Sequence, residues 1–173
     1  MLGMFRRKEK PMTGAEMAEE GLRLVSLAAA KGEIQFQQGR VHADIFAHLD
    51  SPGGVSRLTY VMVSPTVQNQ VIARCVIAMN RAERDVPIWQ MDWAVLEAYR
   101  RQSFGLTIAV KSLLEFTNGM QGRFKNGYAI EAVVEEGNEA SLKIARAVLA
   151  DEKVIPNPHT GINVHSFLRF FPT

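Results

Sequence analysis

The stretch Trp93–Phe116 decides the fold and reads WAVLEAYRRQSFGLTIAVKSLLEF. It begins at the end of an alternating segment, Ile88–Leu96, that predicts a strand. A short turn, Arg100–Gly105, follows, and apolar residues then recur at helical spacing. The small side chains of Ser103 and Gly105 leave backbone N–H groups open at the start of that helix. Those groups and the helix dipole favour an anion, so the turn predicts an anion site with pyrophosphate as its natural ligand.

In the rest of the chain, apolar residues recur every two residues in some segments, as in strands, and about every 3.6 residues in others, as in helices. A helix is predicted from Thr13 to Ala30, because Thr13 and Glu16 have the spacing of a capping box. A second helix is predicted from Glu139 to Ala150, capped by Asn138. Asn80–Pro87 is predicted to be a charged loop. The remaining strands are predicted at Val41–His48, Arg57–Val63, Gln70–Met79, Tyr128–Val134 and Ile162–Phe171.

This order of elements predicts an α/β protein built on one mixed sheet. Consecutive strands without intervening helices imply antiparallel pairing in the first half of the chain. The later strand–helix–strand units imply at least one parallel neighbour. The sequence therefore predicts a central, mostly antiparallel sheet flanked by helices.

Composition bounds the domain organisation and the partners. The chain has 173 residues and a net charge of +2, which argues against a general nucleic-acid binder. Its apolar runs fall short of the roughly 20 residues that span a bilayer, so no membrane partner is expected. A single cysteine, Cys75, excludes an intrachain disulfide. We expect a flexible basic tail at Met1–Met12, one domain over residues 13–173, and a cytoplasmic location.

The turn after the central strand resembles the acyl-CoA-binding motif of the GNAT superfamily, Q/R-x-x-G-x-G/A. Arg100 matches its first position and Gly105 its last, while Ser103 stands where the middle glycine is usual. Upstream, Val95–Arg100 is similar to the family's V-x-P-x-Y-R, with Glu97 in place of proline. The resemblance covers roughly Leu58–Phe171.

A second segment, Glu136–Ala145, is similar to the family region in which an asparagine caps the next helix beside the CoA arm. Asn138 is that asparagine, and Ser141 is similar to the branch that includes the ribosomal-protein N-terminal acetyltransferases. Many members place a general-acid tyrosine seven residues after the asparagine, where this chain has Ala145.

The resemblance implies a GNAT-like fold and the transfer of an acetyl or other acyl group from acyl-CoA to a primary amine by direct attack. The strand Ile88–Leu96 would splay from Tyr128–Val134, with the pantetheine arm between them. The acceptor would be a small-molecule amine or a peptide or protein amine. Acetyl-CoA would be held by Trp93, Ala94, Val95, Arg100, Arg101, Gln102, Ser103, Phe104, Gly105, Leu106, Asn138 and Ser141.

Three carboxylates are candidates for the general base that an attacking ammonium requires. They are Asp92 in the central strand, Glu97 near the turn and Glu131 in the strand Tyr128–Val134. Each could instead be a structural or solvated acid. No metal is expected, because the spacing of the four histidines, His42, His48, His159 and His165, fits no zinc motif.

Two other functions are open at this point. One is a domain of the same fold that binds CoA or a protein without turnover, which the departures at Ser103 and Ala145 favour. The other is an unrelated α/β interaction domain in which Arg100 and Arg101 contact an acidic partner. Whatever the function, an exposed apolar strand or helix of this chain could form a homodimer.

Overall fold

The computed structural model describes residues 12–158 and 160–172. Of the predicted basic tail only Met12 falls within this part of the chain, so the tail stays a prediction, and His159 also lies outside it. No helix in the described ranges is both long and apolar enough to cross a membrane. The helices are α1 (Gly14–Ala30), α2 (Phe104–Met120) and α3 (Glu139–Val148). The strands are β1 (Gln37–Gln38), β2 (Phe46–Asp50), β3 (Arg57–Val63), β4 (Val71–Glu83), β5 (Val86–Val95), β6 (Tyr128–Glu135), β7 (Lys153–Pro156) and β8 (Asn163–Phe171).

All eight strands form one sheet, in the order β1-β2-β3-β4-β5-β6-β8-β7. Every neighbouring pair is antiparallel except β5 and β6, which are parallel. This arrangement confirms the predicted mixed, mostly antiparallel sheet flanked by helices. The parallel pair is reached through α2, which crosses from the end of β5 to the start of β6.

The helices cover the two faces of the sheet unequally. The larger core lies under α2 and α3 and includes Trp89, Met91 and Phe116. A smaller core is centred on Leu22 of α1. It lies on the opposite face of the sheet: its strand residue Val61 stands between Tyr60 and Met62 of the larger core, and successive strand residues point to opposite faces. Helix α1 therefore packs alone on β4 and β5, at the point where the sheet holds its parallel pair.

The start of α1 follows the sequence signal. Thr13 Oγ1 accepts a hydrogen bond from the Glu16 backbone N–H at 3.2 Å, and the Thr13 N–H donates to Glu16 Oε2 at 2.7 Å. The predicted capping box is confirmed. Because it uses two of the backbone N–H groups that a helix start leaves free, it sets where α1 begins.

The prediction of a loop at Asn80–Pro87 is wrong. Strand β4 continues to Glu83 and β5 begins at Val86, so these residues form a two-stranded ribbon. The strands are joined by Arg84 and Asp85, whose φ angles are +48° and +65°. Two consecutive left-handed residues are typical of the turn that matches the twist of a hairpin. Both faces of this ribbon meet water, so its polar residues carry no alternating pattern.

The predicted strand Val41–His48 is also displaced, since β2 begins only at Phe46. The backbone N–H groups of Arg40, Val41 and His42 donate to the Glu115 carboxylate of α2 instead of to a neighbouring strand. A contact 73 residues away along the chain therefore overrides the local alternation. Strand β7 was not predicted, because its four residues are all exposed at the edge of the sheet and show no alternation of buried and exposed positions.

Candidate active site

The parallel strands β5 and β6 separate at one end. Their ladder joins Ile88–Gln90 to Ala129–Glu131, and both strands then continue apart to Val95 and Glu135. Two clefts open along this separation. They share lining residues from α1, β5 and the start of α3, namely Ala15, Ala18, Trp93, Asn138 and Ser141.

The larger cleft, of about 580 Å³, lies beside the turn that precedes α2, and we call it the turn cleft. The predicted cofactor residues that line it are Trp93, Ala94, Val95, Arg100, Arg101, Ser103, Gly105, Leu106, Asn138 and Ser141. Gln102 and Phe104 are not among its lining residues. The Gln102 side-chain amide donates to Ala98 O at 3.1 Å, and the Phe104 ring packs edge-on against Tyr99.

The backbone of the turn is shaped to present N–H groups. Arg101 and Ser103 have φ angles of +61° and +65°, so left-handed residues flank Gln102. Such alternation turns neighbouring N–H groups toward one side and forms an anion-binding concavity. Ser103 occupies a conformation that glycine adopts more readily, which accounts for the glycine usual at this position in the motif.

The first turn of α2 leaves its own N–H groups available. The helical hydrogen bonds begin with the Thr107 N–H donating to Ser103 O at 2.9 Å, and the Ser103 side chain makes no capping bond. The three preceding N–H groups have no intrahelical acceptor. A Cβ on Gly105 would come within 2.9 Å of Ile144 Cδ1, so a larger residue here would require the end of the Ile144 side chain to shift. The donor set and the close packing fit the diphosphate of a CoA ligand.

Charged side chains in the turn cleft are mostly cationic. Arg100, Arg101 and Lys143 line it, together with the carboxylate of Glu19 from α1. Arg100 Nη2 donates to Glu19 Oε1 at 2.6 Å, and Arg100 Nε donates to Val95 O at 3.2 Å. With the dipole of α2 added, this cleft favours an anionic ligand.

The second cleft, of about 390 Å³, follows the separated strands on the α1 side, and we call it the strand cleft. Asp92 and Arg74 lie on its wall, with Arg74 Nη1 3.1 Å from Asp92 Oδ1. The same Nη1 donates to Ala18 O of α1 at 3.1 Å. Burial raises the pKa of the Asp92 carboxyl, while Arg74 and Arg57 pull the pKa in the opposite direction. About 43% of the Asp92 side chain is exposed, and this part faces the cleft.

The other two predicted bases lie elsewhere. Glu97 is exposed in a short 3-10 turn, Glu97–Tyr99, outside the lining of both clefts. Glu131 accepts from Arg81 Nη1 at 2.5 Å and from Ser166 Oγ at 3.3 Å, so its carboxylate is engaged in an ion pair. Of the three candidates, the structure brings Asp92 to the clefts.

Four charged residues at the clefts, Arg74, Glu19, Glu135 and Lys143, were missed by the sequence analysis. A sequence signal for Arg74 exists, because this charged residue interrupts an apolar strand. In the structure its side chain is only 10% exposed. Glu19 and Glu135 had no such signal, because each looks like an ordinary surface acid. Lys143 had no signal either, because it looks like an ordinary surface lysine of a helix. Glu135 lines the strand cleft and accepts the Gly14 backbone N–H at 3.1 Å.

The start of α3 borders both clefts. Asn138 Oδ1 accepts from the Ser141 N–H at 3.2 Å, which is the predicted cap. Ala145 is fully buried in the larger core, so this position supplies no hydroxyl to either cleft. Over the described ranges, no group of three or more His, Cys, Asp or Glu side chains is placed to hold a metal.

Neither a protein-family model nor a curated protein matches this sequence. Solved structures do match the fold. A GNAT-family acetyltransferase from Streptococcus pneumoniae aligns over 66% of each chain with 11% identity and a TM-score of 0.50. A GCN5-related N-acetyltransferase from Kribbella flavida aligns over 66% of this chain and 68% of its own, with 19% identity and a TM-score of 0.52.

The NatC complex, solved with Gag peptide and CoA, aligns over 65% of this chain and 70% of its own. Its identity is 14% and its TM-score 0.53. Each alignment covers about two thirds of this chain, and identities this low establish a shared fold. The protein therefore has the fold of the GNAT acetyltransferases.

Proposed function

We propose that the protein is an acyl-CoA-dependent N-acyltransferase that moves an acetyl or other acyl group onto a primary amine. One observation carries the proposal. The parallel strands β5 and β6 separate beside the open N–H groups at the start of α2. A ligand with a diphosphate at one end and a long polar arm at the other fits this arrangement. The diphosphate would contact the free N–H groups, and the arm would lie in the gap between β5 and β6.

The backbone N–H groups of Gly105 and Leu106, two residues that line the turn cleft, bind the diphosphate. Arg100, Arg101 and Lys143 add charge-assisted hydrogen bonds from the walls of the turn cleft. The pantetheine arm then runs between β5 and β6. Backbone groups there lie beyond the ladder of the two strands and need partners, which amide groups of the arm supply.

Asp92 serves as the general base in the strand cleft. It takes a proton from the acceptor ammonium, and the amine nitrogen then attacks the thioester carbonyl carbon. The new C–N bond forms, the attacking nitrogen loses its second proton, and the C–S bond breaks. Of the two protons that leave the nitrogen, one ends on the leaving thiolate and the other passes through Asp92 to solvent. The products are an amide and free CoA. A raised pKa makes Asp92 a stronger base than an ordinary aspartate.

The thiolate leaves without a phenolic acid, since Ala145 occupies the position where the motif often has tyrosine. A thiol is a far stronger acid than an alcohol, with a pKa of about 8.5 for the cysteine side chain, so a thiolate is an adequate leaving group by itself. The N–H groups of Trp93–Val95 stabilise the oxyanion that forms during the attack.

The acceptor enters the strand cleft, which carries two carboxylates, Asp92 and Glu135. These favour a cationic amine, either on a small molecule or at the N-terminus of a peptide or protein. A volume of about 390 Å³ accommodates the amine and one neighbouring group rather than a long folded segment.

A second function, CoA or protein binding without turnover, is favoured by one observation, the buried Ala145. It differs from the first in predicting binding without an amide product. The third hypothesis assumed an unrelated fold, and this part is wrong because the chain has the GNAT fold. A contact of Arg100 and Arg101 with an acidic partner stays a prediction from the sequence. A cytoplasmic location, a homodimer and the absence of nucleic-acid or membrane partners stay predictions from the sequence.

Thermal unfolding with acetyl-CoA tests the proposal, with desulfo-CoA and ADP as further ligands. A ligand at about 100 times its Kd stabilises a protein by about 2.7 kcal/mol, which raises Tm by about 5–11 °C at this chain length. The shift should shrink in Arg101→Glu and persist in Arg123→Glu, a matched charge reversal on the exposed surface away from the clefts.

Amide formation from acetyl-CoA and a panel of amines, followed by mass spectrometry, separates turnover from binding. If no CoA species shifts Tm, the acyltransferase proposal is refuted. A clear shift without product from any amine would favour the non-catalytic function.

A further inference from the structure

Arg100 already has an anionic partner. Its Nη2 lies 2.6 Å from Glu19 Oε1, while its Nε is held on Val95 O at 3.2 Å. Arg100 stands at the first position of the turn that precedes α2, and Glu19 reaches it from α1 on the other side of the turn cleft. The pair therefore spans the cleft in which the proposed diphosphate binds.

The position of Glu19 is set by the attachment of α1. The Gly14 N–H donates to Glu135 Oε1 at 3.1 Å, and Arg74 Nη1 donates to Ala18 O at 3.1 Å. Leu22 is buried in the small core one turn further along the helix. With both ends of this segment tied to the sheet, Glu19 is kept beside Arg100.

A carboxylate and a phosphate compete for the same guanidinium. Both accept the N–H groups of arginine in the same forked geometry, so one anion excludes the other from a shared donor. The diphosphate must also approach the negative charge of Glu19. The cationic side chains Arg101 and Lys143 in the same cleft are not paired with Glu19 and stay available for the ligand.

We propose that Glu19 is an affinity-determining residue that occupies Arg100 in place of the diphosphate and is displaced when CoA binds. The inference rests on the proposed function, because it concerns the same cleft. It assigns to α1, a helix with no counterpart in the sequence motif, a direct effect on the binding of the acyl donor.

The size of the effect follows from exposure. The side chains of Arg100 and Glu19 are 45% and 55% exposed, so water and salt screen their attraction. Removing the charge of Glu19 should lower the Kd for CoA by about two- to fivefold, the range that exposed ion pairs allow.

Isothermal titration of CoA and of ADP into the full chain tests this inference. Glu19→Gln should bind both ligands two- to fivefold more tightly than the unaltered protein. Glu20→Gln is the matched control, since it removes the neighbouring charge of the same helix, where Glu20 pairs with Arg23. Its Kd should not change. Circular dichroism checks that each variant is folded.

A double-mutant cycle with Arg100→Gln separates competition from simple repulsion. If Glu19 acts by occupying Arg100, the gain from Glu19→Gln disappears when Arg100 is absent. A gain of the same size in the Arg100→Gln background would overturn the inference, as would an equal gain in Glu20→Gln.

The inference and the proposed function fail in different ways. Equal Kd values for the unaltered protein and Glu19→Gln would overturn the inference and leave the proposed function standing. Failure of both proteins to bind CoA and ADP would overturn both. Binding by Glu19→Gln alone would support both.

Discussion

The Glu115 carboxylate ties α2 to the chain that precedes β2, and replacing it with glutamine should destabilise the protein. Its oxygens accept the backbone N–H groups of Arg40 at 2.9 Å, Val41 at 2.9 Å and His42 at 2.6 Å. Burial by itself raises the pKa of this carboxyl, but the three N–H donors outweigh burial and leave the pKa lowered. The fold therefore favours the charged form.

The expected cost of Glu115→Gln can be worked from these bonds. The glutamine carbonyl can replace Oε1 and keep the bonds from Val41 and His42. Its NH2 group then faces the Arg40 N–H, so one charge-assisted bond, worth about 1.5–3 kcal/mol, is lost and two donors oppose each other. With the remaining bonds weakened, we expect a loss of about 2–4 kcal/mol, or about 5–15 °C in Tm.

Urea unfolding and calorimetry of Glu115→Gln measure this loss, with Glu33→Gln as the control. Glu33 is exposed and lies 3.8 Å from Lys31, so its substitution should change Tm little. A carboxyl with a lowered folded pKa stabilises above its unfolded pKa of about 4.5, and this stability is lost as pH falls through the folded pKa. The difference between the two proteins should thus be full at pH 7 and shrink on acidification. A Tm for Glu115→Gln equal to that of the unaltered protein at pH 7 would refute the reasoning.

Three further outcomes are expected. On the proposed function, Asp92→Asn should lower kcat/KM by about 10²–10⁴-fold with an unchanged Kd for CoA. The rate of the unaltered protein should rise with pH as Asp92 deprotonates, and an unchanged rate in the variant would remove Asp92 as the base. Gly39→Ala should destabilise the protein in urea unfolding, because its Cβ would meet Glu115 Oε1 at 2.6 Å and His42 O at 2.7 Å; full stability would show that this loop can move. Cys75 is fully buried and burial raises its pKa, so a thiol reagent should modify it only after unfolding, and rapid labelling of the native protein would contradict this burial.

Local signals predicted much of the fold because they act over a few residues. The capping box at Thr13, the β-branched and aromatic residues of Arg57–Val63 and the helix cap at Asn138 each specify a structure that neighbouring residues complete. These local signals failed where a residue distant in sequence, or exposure to solvent, determined the local structure. Residues 40–42 turn their N–H groups to Glu115, and the polar ribbon at Arg84 has no buried face.

The site divides in the same way. The turn Arg100–Gly105 could be found from sequence, since small residues between a strand and a helix expose backbone donors in the same stretch of chain. The choice of Asp92 over Glu97 and Glu131 needed the structure, because all three are acids near predicted strand residues. Asp92 is paired with Arg74 and Glu131 with Arg81, and both arginines lie on another strand, β4.

By itself the sequence determined the helices, most of the strands and the position of the turn before α2, because those depend on contacts within about four residues along the chain. The separation of β5 from β6 was expected from the family resemblance, but only the tertiary structure decided where their ladder ends, at Gln90 and Glu131. Only the tertiary structure decided that α1 brings Glu19 to Arg100. Strand separation depends on how the whole sheet packs between helices. The meeting of Glu19 and Arg100 joins residues 81 positions apart, and no periodicity in the sequence encodes that distance.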